Sequence, residues 1–551
     1  MIRISEILLD ISHSEEELLH QAAKCLKVRP EEIEYYEIVR KSIDARKKPE
    51  IYFSYILDVS LKEEALLLKK QKKNIHVSKA EKTLYALPEP GNKRLRYRPV
   101  ITGFGPAGIF AALALAKKGF APIILERGED VDARSRRVEE FWEKGRLCPD
   151  SNVSFGEGGA GTFSDGKLNT MVKDRVGRNT QVLETFVEFG AEREILYLQK
   201  PHIGTDRLRE IIKNIRKEII RLGGSFFFRT ALKDIRKNPK QKEEGELQSY
   251  TLMLSDQTRL QTEVLVLAIG HSARDSFQML WERALPMEAK PFAVGLRIQH
   301  PQSMIDLSQF GPKCAKLLSP ASYKLTAKSA GGRGVYSFCM CPGGYVVDAS
   351  TEEGMLAVNG MSYHARDSRT ANSAIIVTVS PEDFRKYAPA FISAEEAFSS
   401  KVHPLAGIEF QRALEKKAYE LGEGSIPIQL LSDFMGERES HAFKETEGFF
   451  KGKTKFAPLH RLFSEEIRLA LNEAIPIFDQ KIRGFGREDA ILAGVESRTS
   501  SPLRILRKED TESAFTGIYP CGEGAGYAGG ITSAAMDGLK VAENIISRYR
   551  L

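Results

Sequence analysis

Three groups of residues in this 551-residue chain have types and spacings that can do chemistry. The first is Gly103-Phe104-Gly105-Pro106-Ala107-Gly108, which follows the apolar run Val100-Ile101-Thr102 and precedes small apolar residues that recur at helical spacing through Ala116. In such a pattern Gly103 permits a tight strand-to-helix turn, Gly105 lets backbone approach a pyrophosphate, and Gly108 lets the helix pack closely on the sheet. Pro106 and Ala107 open that helix, whose unpaired N–H groups meet the phosphates. The apolar run from Ala121 to Leu125 then delivers Glu126 and Arg127. A carboxylate there can accept both ribose hydroxyls of an adenosine. The expected chemistry is binding of an adenine dinucleotide.

The second and third groups narrow the choice of dinucleotide. One is the run Phe155 to Leu168, with Gly158, Gly159, Gly161, Thr162 and Lys167; the other is Gly517 to Thr532, with Gly522, Glu523, Gly530 and Ile531. NAD needs neither. FAD is longer, and its ribityl chain and isoalloxazine must lie over backbone with no side chains in the way, which glycine permits. Ala231, at the head of an alternating stretch, and Gly270, which ends the apolar run Val264 to Ile269, complete the expected cofactor contacts. A helix expected to begin near Ser533 would turn its positive end toward the flavin pyrimidine, favouring the anion formed on reduction. Glu523 is placed to bond ribityl or phosphate-side hydroxyls.

Flavin supplies hydride chemistry itself, so no triad or metal cluster is demanded. Catalytic candidates follow from nearness in the chain to the flavin segments: Lys167, His271, Arg498 and Arg504. Each arginine offers a planar fork for a carboxylate or phosphate substrate, or a salt bridge to nearby acids. His271 is either a proton donor or a histidine tied to neighbouring backbone. Cys339 and Cys341 are two residues apart, so on a strand they share a face; they are either a dithiol beside the flavin or small buried hydrophobes. The ten histidines are scattered, and no metal site is expected.

The elements that must position these residues fall into three parts: an N-terminal α+β module over 1–96, an FAD-binding domain over 97–285 and 489–551, and an inserted α+β substrate or cap domain over 286–488. Ile2 to Ile11 and Ile51 to Leu61 read as strands, with a helix from Glu15 capped by Ser14. Leu87 to Arg98 reads as a linker. A helix over Thr205 to Leu222 leads to a strand from Ser225, a three-stranded meander over Leu232 to Gln261 and a buried strand over Val264 to Ile269. The charged stretch Lys237 to Glu246 is the meander's exposed loop. The fold class expected is α/β, a Rossmann-like FAD domain with a β-meander crossover.

Composition bounds the remainder. The 42% hydrophobic content suffices for cores, no apolar run reaches the length of a membrane span, and six scattered cysteines exclude a disulfide framework, so the protein is expected to be cytoplasmic. A net charge of +7, from 81 basic and 74 acidic residues, is not that of a dedicated nucleic-acid binder. Basic residues do concentrate at Lys69, Lys70, Lys72 and Lys73 and again at Lys93, Arg94, Arg96 and Arg98.

The single fingerprint, the Phe155 to Leu168 run, the run Gly494-Val495-Glu496-Ser497-Arg498-Thr499-Ser500-Ser501-Pro502-Leu503-Arg504 and the Gly522-Glu523 segment together resemble the bacterial family of uncharacterised FAD-dependent dehydrogenases, also described as NAD(FAD)-utilising dehydrogenases. Lys200 to Asp206 and Tyr336 to Gly344 resemble segments of the same family, and the likeness spans nearly the whole chain. In its FAD domain the wider superfamily is similar to glutathione reductase and p-hydroxybenzoate hydroxylase. One departure is Glu523, where Asp is usual; the added methylene changes reach and keeps the acceptor. The resemblance implies FAD and redox chemistry: a dehydrogenase or reductase of a small molecule, the flavin N5 carrying the hydride. With no second dinucleotide fold readable, NAD(P)H would act only as a transient electron donor. Two alternatives stay open, a flavoprotein that modifies RNA through the basic stretch and a flavin-binding interaction protein without turnover.

Overall fold

The computed structural model describes residues 1–239, 247–387 and 401–551, so most of the charged loop expected between Lys237 and Glu246 lies outside the described residues. Five short apolar strands make a parallel sheet in the order Ile518–Pro520, Leu265–Leu267, Val100–Thr102, Ile123–Leu125, Ser225–Phe227. Their Val, Ile and Leu side chains are buried on both faces, as a parallel sheet between helices requires. Between Ser225–Phe227 and Leu265–Leu267 the chain forms an antiparallel sheet of Leu232–Lys237, Tyr250–Leu254 and Arg259–Thr262.

The helix Pro106–Lys117 is apolar all round and buried from Ala107 to Ala116. Only small residues allow such closeness. A Cβ on Gly108 would sit 2.0 Å from the Gly103 carbonyl oxygen, and one on Gly538, in the helix Ile531–Arg548, would sit 2.2 Å from the Ala107 carbonyl oxygen. Thus the last helix of the chain lies directly on the fingerprint helix.

A second, seven-stranded sheet has the order Thr326–Lys328, Gly334–Cys341, Thr370–Val379, Phe292–Pro301, Ile491–Glu496, Ile426–Leu430, Thr454–Phe456. Ile491–Glu496 pairs antiparallel with both Phe292–Pro301 and Ile426–Leu430. This departs from the expected boundary at 488, after which the chain was to return to the first sheet. An Ile-Leu-Ala-Gly-Val run suits a strand buried on both faces in either sheet, and only pairing decides which.

At the N-terminus, Tyr35–Lys47, Glu50–Ser60, Ile2–Asp10 and Val77–Lys79 form a sheet in that order, covered by the helix Glu15–Leu26. Ser14 and Glu17 make a reciprocal capping box. The strand Tyr35–Lys47 escaped sequence reading because six of its thirteen residues, Glu37, Arg40, Lys41, Asp44, Arg46 and Lys47, are charged and hide the alternation. The linker ends in a tie to the far end of the chain: Lys93–Arg94 pairs with Tyr549–Arg550. Arg98, counted in the basic stretch, donates instead to the carbonyls of Ala121, Pro122 and Gly223. Among the described residues no helix is long and apolar enough to cross a membrane.

Candidate active site

One cavity of about 340 Å³ opens at the C-terminal edge of the parallel sheet and is closed on its far side by the seven-stranded sheet. The first wall is mostly backbone. Gly103 turns the chain at φ 92°, and a Cβ there would meet the Ala268 carbonyl oxygen at 2.3 Å. Gly105 differs, because its Cβ would touch nothing nearer than the Gly159 Cα at 3.6 Å, an ordinary contact. Glu126 lies at the base of this wall. Its carboxylate accepts N–H bonds from Phe104 at 2.8 Å, Gly128 at 2.9 Å and Gly156 at 3.0 Å. A carboxylate has about four acceptor positions, so one remains for a ligand hydroxyl where two had been expected.

The loop that faces Gly105 is held from behind by Arg134. Its buried guanidinium donates to the carbonyls of Asn152, Val153, Gly156 and Glu157. Burial lowers its pKa to about 9. Beyond the loop, Lys167 lines the cavity with its Nζ 3.0 Å from Asp165. Burial opposes the ammonium charge, but Asp165 together with Cys341 and Cys339 outweighs it and raises the pKa. Asp165 is itself bound by Arg366 at 2.6 Å and by the Ser362 hydroxyl.

At the other end, the last helix begins at Ile531, two residues before the expected Ser533, whose hydroxyl lies in the first turn and donates back to the carbonyls of Gly529 and Gly530. Thr532 donates to the Leu168 carbonyl at 2.8 Å, which ties this helix to the first glycine run. Glu523 lines the cavity, and burial raises its carboxyl to about 7. His271 Nδ1 stands 3.9 Å from Glu523 Oε1. Burial, then Arg498 and Arg274, lower the imidazole to about 4, so it is neutral at neutral pH.

The second wall is built from side chains locked in pairs. Arg297, fully buried, binds Glu496 at 2.8 Å, Asn372 at 2.9 Å, Asn359 at 2.8 Å and the Cys339 carbonyl at 2.9 Å. Burial raises the Glu496 carboxyl despite this partner. Next to it, Glu415 takes Arg274 and Arg498 together. Burial disfavours the Glu415 charge, yet the two guanidiniums hold it far below the usual carboxylate range.

The structure sorts the expected residues. Gly103, Gly105, Pro106, Ala107, Glu126 and Arg127 line the cavity, as do Gly159, Gly161, Ala231, Gly270, Glu523, Gly530 and Ile531. Gly108 and Gly158 are behind it, where their Cβ positions would strike Gly103 and Thr162. Thr162 turns its hydroxyl to the Glu157 carbonyl, and Gly522 donates to Asp537 while facing the Ala107 side chain. These four therefore shape the wall without forming its surface. Of the catalytic candidates, Lys167, His271 and Arg498 reach the cavity. Of the two readings open for Arg498, a fork for a substrate or a salt bridge to an acid, the structure shows the salt bridge, with Glu415. Arg504 is corrected outright: it lies outside the cavity, beside Glu288 and over the Tyr527 ring. Sequence reasoning missed Asp165, Asn359 and Glu496 as cavity residues. Glu496 stood in a quoted run and had a detectable signal, an acid ending an otherwise apolar strand; Asn359 had none.

Comparisons with known proteins bear on both halves of the chain. Residues 291–499 match the FAD-dependent protein, C-terminal domain-like family, and residues 1–60 match a domain of unknown function. An uncharacterized protein of Clostridium beijerinckii is 46% identical over 562 residues, covering 100% of this chain and 99% of its own. The chain belongs to the same family. The match over residues 291–499 supports a flavoprotein. Among solved structures, the halogenase PltM aligns at 10% identity with a TM-score of 0.35, over 81% of this chain and 67% of that one. CtdE in complex with FAD aligns at 10% identity with a TM-score of 0.29, over 80% and 82%. Likeness at this level carries nothing about chemistry.

Proposed function

We propose that the protein is an FAD-dependent oxidoreductase, a dehydrogenase or reductase of a small molecule, that binds FAD along the backbone wall and substrate against the side-chain wall. One observation carries this reading. Gly529 lines the cavity with nothing within 4 Å of where a Cβ would stand, and Gly105 has only an ordinary contact there. Gly270 and Gly530 face equally open space, but their φ of 72° and 97° already favours glycine. At Gly105 and Gly529 neither packing nor backbone angle calls for glycine, whereas a ligand laid flat against backbone would. The residues fit FAD at both ends: Glu126 and the start of Pro106–Lys117 at the adenosine and pyrophosphate side, Glu523 and the start of Ile531–Arg548 at the ring side.

When bound, FAD supplies two-electron hydride chemistry through N5 of its ring. The chain's own residues do the remainder. The helix terminus at Ile531 and the charged Lys167 favour negative charge nearby. Glu523, with its carboxyl near 7, holds or releases a proton at neutral pH, and neutral His271 accepts at a ring nitrogen. Arg498 orients rather than binds, since Glu415 fixes it. Glu496, Asn359 and Phe338 offer substrate one acidic, one amide and one apolar surface. Any NAD(P)H approaches transiently.

The test is the purified protein. It should be yellow, release FAD rather than FMN, and show the flavin bleached under anaerobic conditions by NADH or NADPH in a weak, saturable manner. A colourless protein that takes up no FAD would overturn the reading, as would bound FAD that no electron donor reduces. A salt-sensitive shift of RNA would favour the nucleic-acid alternative instead.

A further inference from the structure

The second wall contains an irregularity at the point where it meets Lys167. Strand Gly334–Cys341 pairs with Thr370–Val379 in regular register to Phe338↔Ala374, but the next pair is Cys341↔Asn372. Three steps on one strand oppose two on the other, which is a β-bulge. Bulges twist a strand and re-aim side chains. Cys339 is the bulged residue, at φ 41°, a left-handed conformation that a residue with a Cβ adopts rarely.

The bulge carries two thiols, two residues apart. Cys339 lines the cavity and Cys341 is fully buried behind it. Cys341 Sγ is 3.3 Å from the Cys339 carbonyl oxygen. Two cations clamp this segment: Arg297 donates to the Cys339 carbonyl at 2.9 Å and Lys167 to the Met340 carbonyl. The neighbouring Cys341 side chain holds the Cys339 thiol well below its ordinary range; burial opposes this, and Lys167 and Arg297 add to the lowering. Cys341 moves the other way. The arrangement is that of a nucleophilic thiolate with a resolving thiol beside it. Cys339, Glu523 and Ile531 line the same cavity. Cys521 also borders the cavity, but burial, then Asp537, push its thiol up.

We propose that Cys339 and Cys341 form a redox-active dithiol that exchanges two electrons with the flavin held in the cavity, an inference that rests on the FAD reading above. In the oxidative direction the Cys339 thiolate and the Cys341 thiol form one S–S bond and the Cys341 S–H bond is broken. Two electrons and that one proton pass to oxidised FAD, leaving the reduced anionic flavin, so charge and hydrogen balance. The reverse direction returns both to the disulfide. The physical requirement is contact between two sulfurs and the flavin; the bulge sets Cys339 at the cavity and the Cys341 sulfur against the Cys339 carbonyl.

The first measurement is independent of turnover. Folded protein, with and without flavin, is treated with diamide and digested; the peptide carrying both cysteines should lose two hydrogens. Iodoacetamide at mildly acidic pH should label Cys339 on the order of tenfold faster than Cys148. Second, dithiothreitol under anaerobic conditions should bleach the flavin, and Cys339→Ser or Cys341→Ser should each slow this by about tenfold or more while dithionite still reduces both variants. Flavin-loaded protein whose cysteines stay unlinked after diamide, or serine variants bleached by dithiothreitol at the wild-type rate, would overturn the proposal and leave the FAD reading intact. A protein that forms the linkage but takes up no FAD would overturn the electron exchange and the functional reading together.

Discussion

The two walls of the cavity are made by opposite means. On the parallel-sheet side the surface is backbone: glycines clear the space, a carboxylate gathers three N–H groups, and two helix termini supply partial charge. On the seven-stranded side the surface is side chain, and nearly every ionisable group is already paired, Arg297 with Glu496 across 199 residues and Arg498 with Glu415 across 83. A backbone wall presents the same groups whatever its neighbours are and suits a cofactor of constant shape. A wall of coupled ion pairs is costly to disturb, and few of its members are free to contact a substrate.

The sharpest way to break this comparison is within the fingerprint itself. Gly108→Ala forces a Cβ onto backbone oxygen and should abolish soluble folded protein, whereas Gly105→Val should fold, with an unfolding midpoint close to the parent's, and retain no flavin after gel filtration. Stoichiometric FAD in the Gly105 variant would mean that the cofactor does not run along this wall. On the second wall, Glu415→Leu removes the carboxylate that two buried guanidiniums share, leaving Arg274 its pair with Glu352 and Arg498 only hydroxyl partners. Removing one partner of a buried pair costs about 3–5 kcal/mol, to be read as a lowered urea midpoint. A smaller loss would show that solvent reaches this network.

Glu523 and His271 are next in size, and their signs differ. Glu523 is raised from 4.5 to about 7, so the stability tied to it is full below 4.5 and is lost as pH rises through 7. His271 is lowered from 6.5 to about 4, so its share is full above 6.5 and is lost as pH falls through 4. In flavin-free protein Glu523→Gln should therefore gain over the parent at pH above 7, and His271→Asn should gain only in acid. Each gain is about 3 kcal/mol at most, measured as urea midpoints across pH. Matching signs would refute the assignment. Smallest in its effect on the flavin is Gly530→Ala: at φ 97° a side chain is disfavoured, so the first turn of the helix must re-aim, and the helix-terminus contribution of up to about 2 kcal/mol corresponds to a flavin midpoint lower by at most roughly 40 mV, provided the variant is fully loaded. An unchanged or raised midpoint would remove the dipole from the account.

What could be read in the chain alone follows from how far apart the cooperating residues are. Gly103, Gly105, Gly108 and Glu126 act within one strand–helix–strand unit, so their spacing carries their geometry, and the glycine runs near 158 and 522 work through local backbone in the same way. Even there spacing could not tell Gly105, which faces open space, from Gly108, which faces carbonyl oxygen, because the two differ only in what the tertiary fold sets opposite them. The membership of Ile491–Glu496 in the second sheet, the capture of Arg498 by Glu415, the exclusion of Arg504 and the meeting of Lys167 with Cys339 and Cys341 all depend on long-range pairing. No periodicity encodes these contacts, since each is set by which buried charge finds a partner once two sheets have closed on one another.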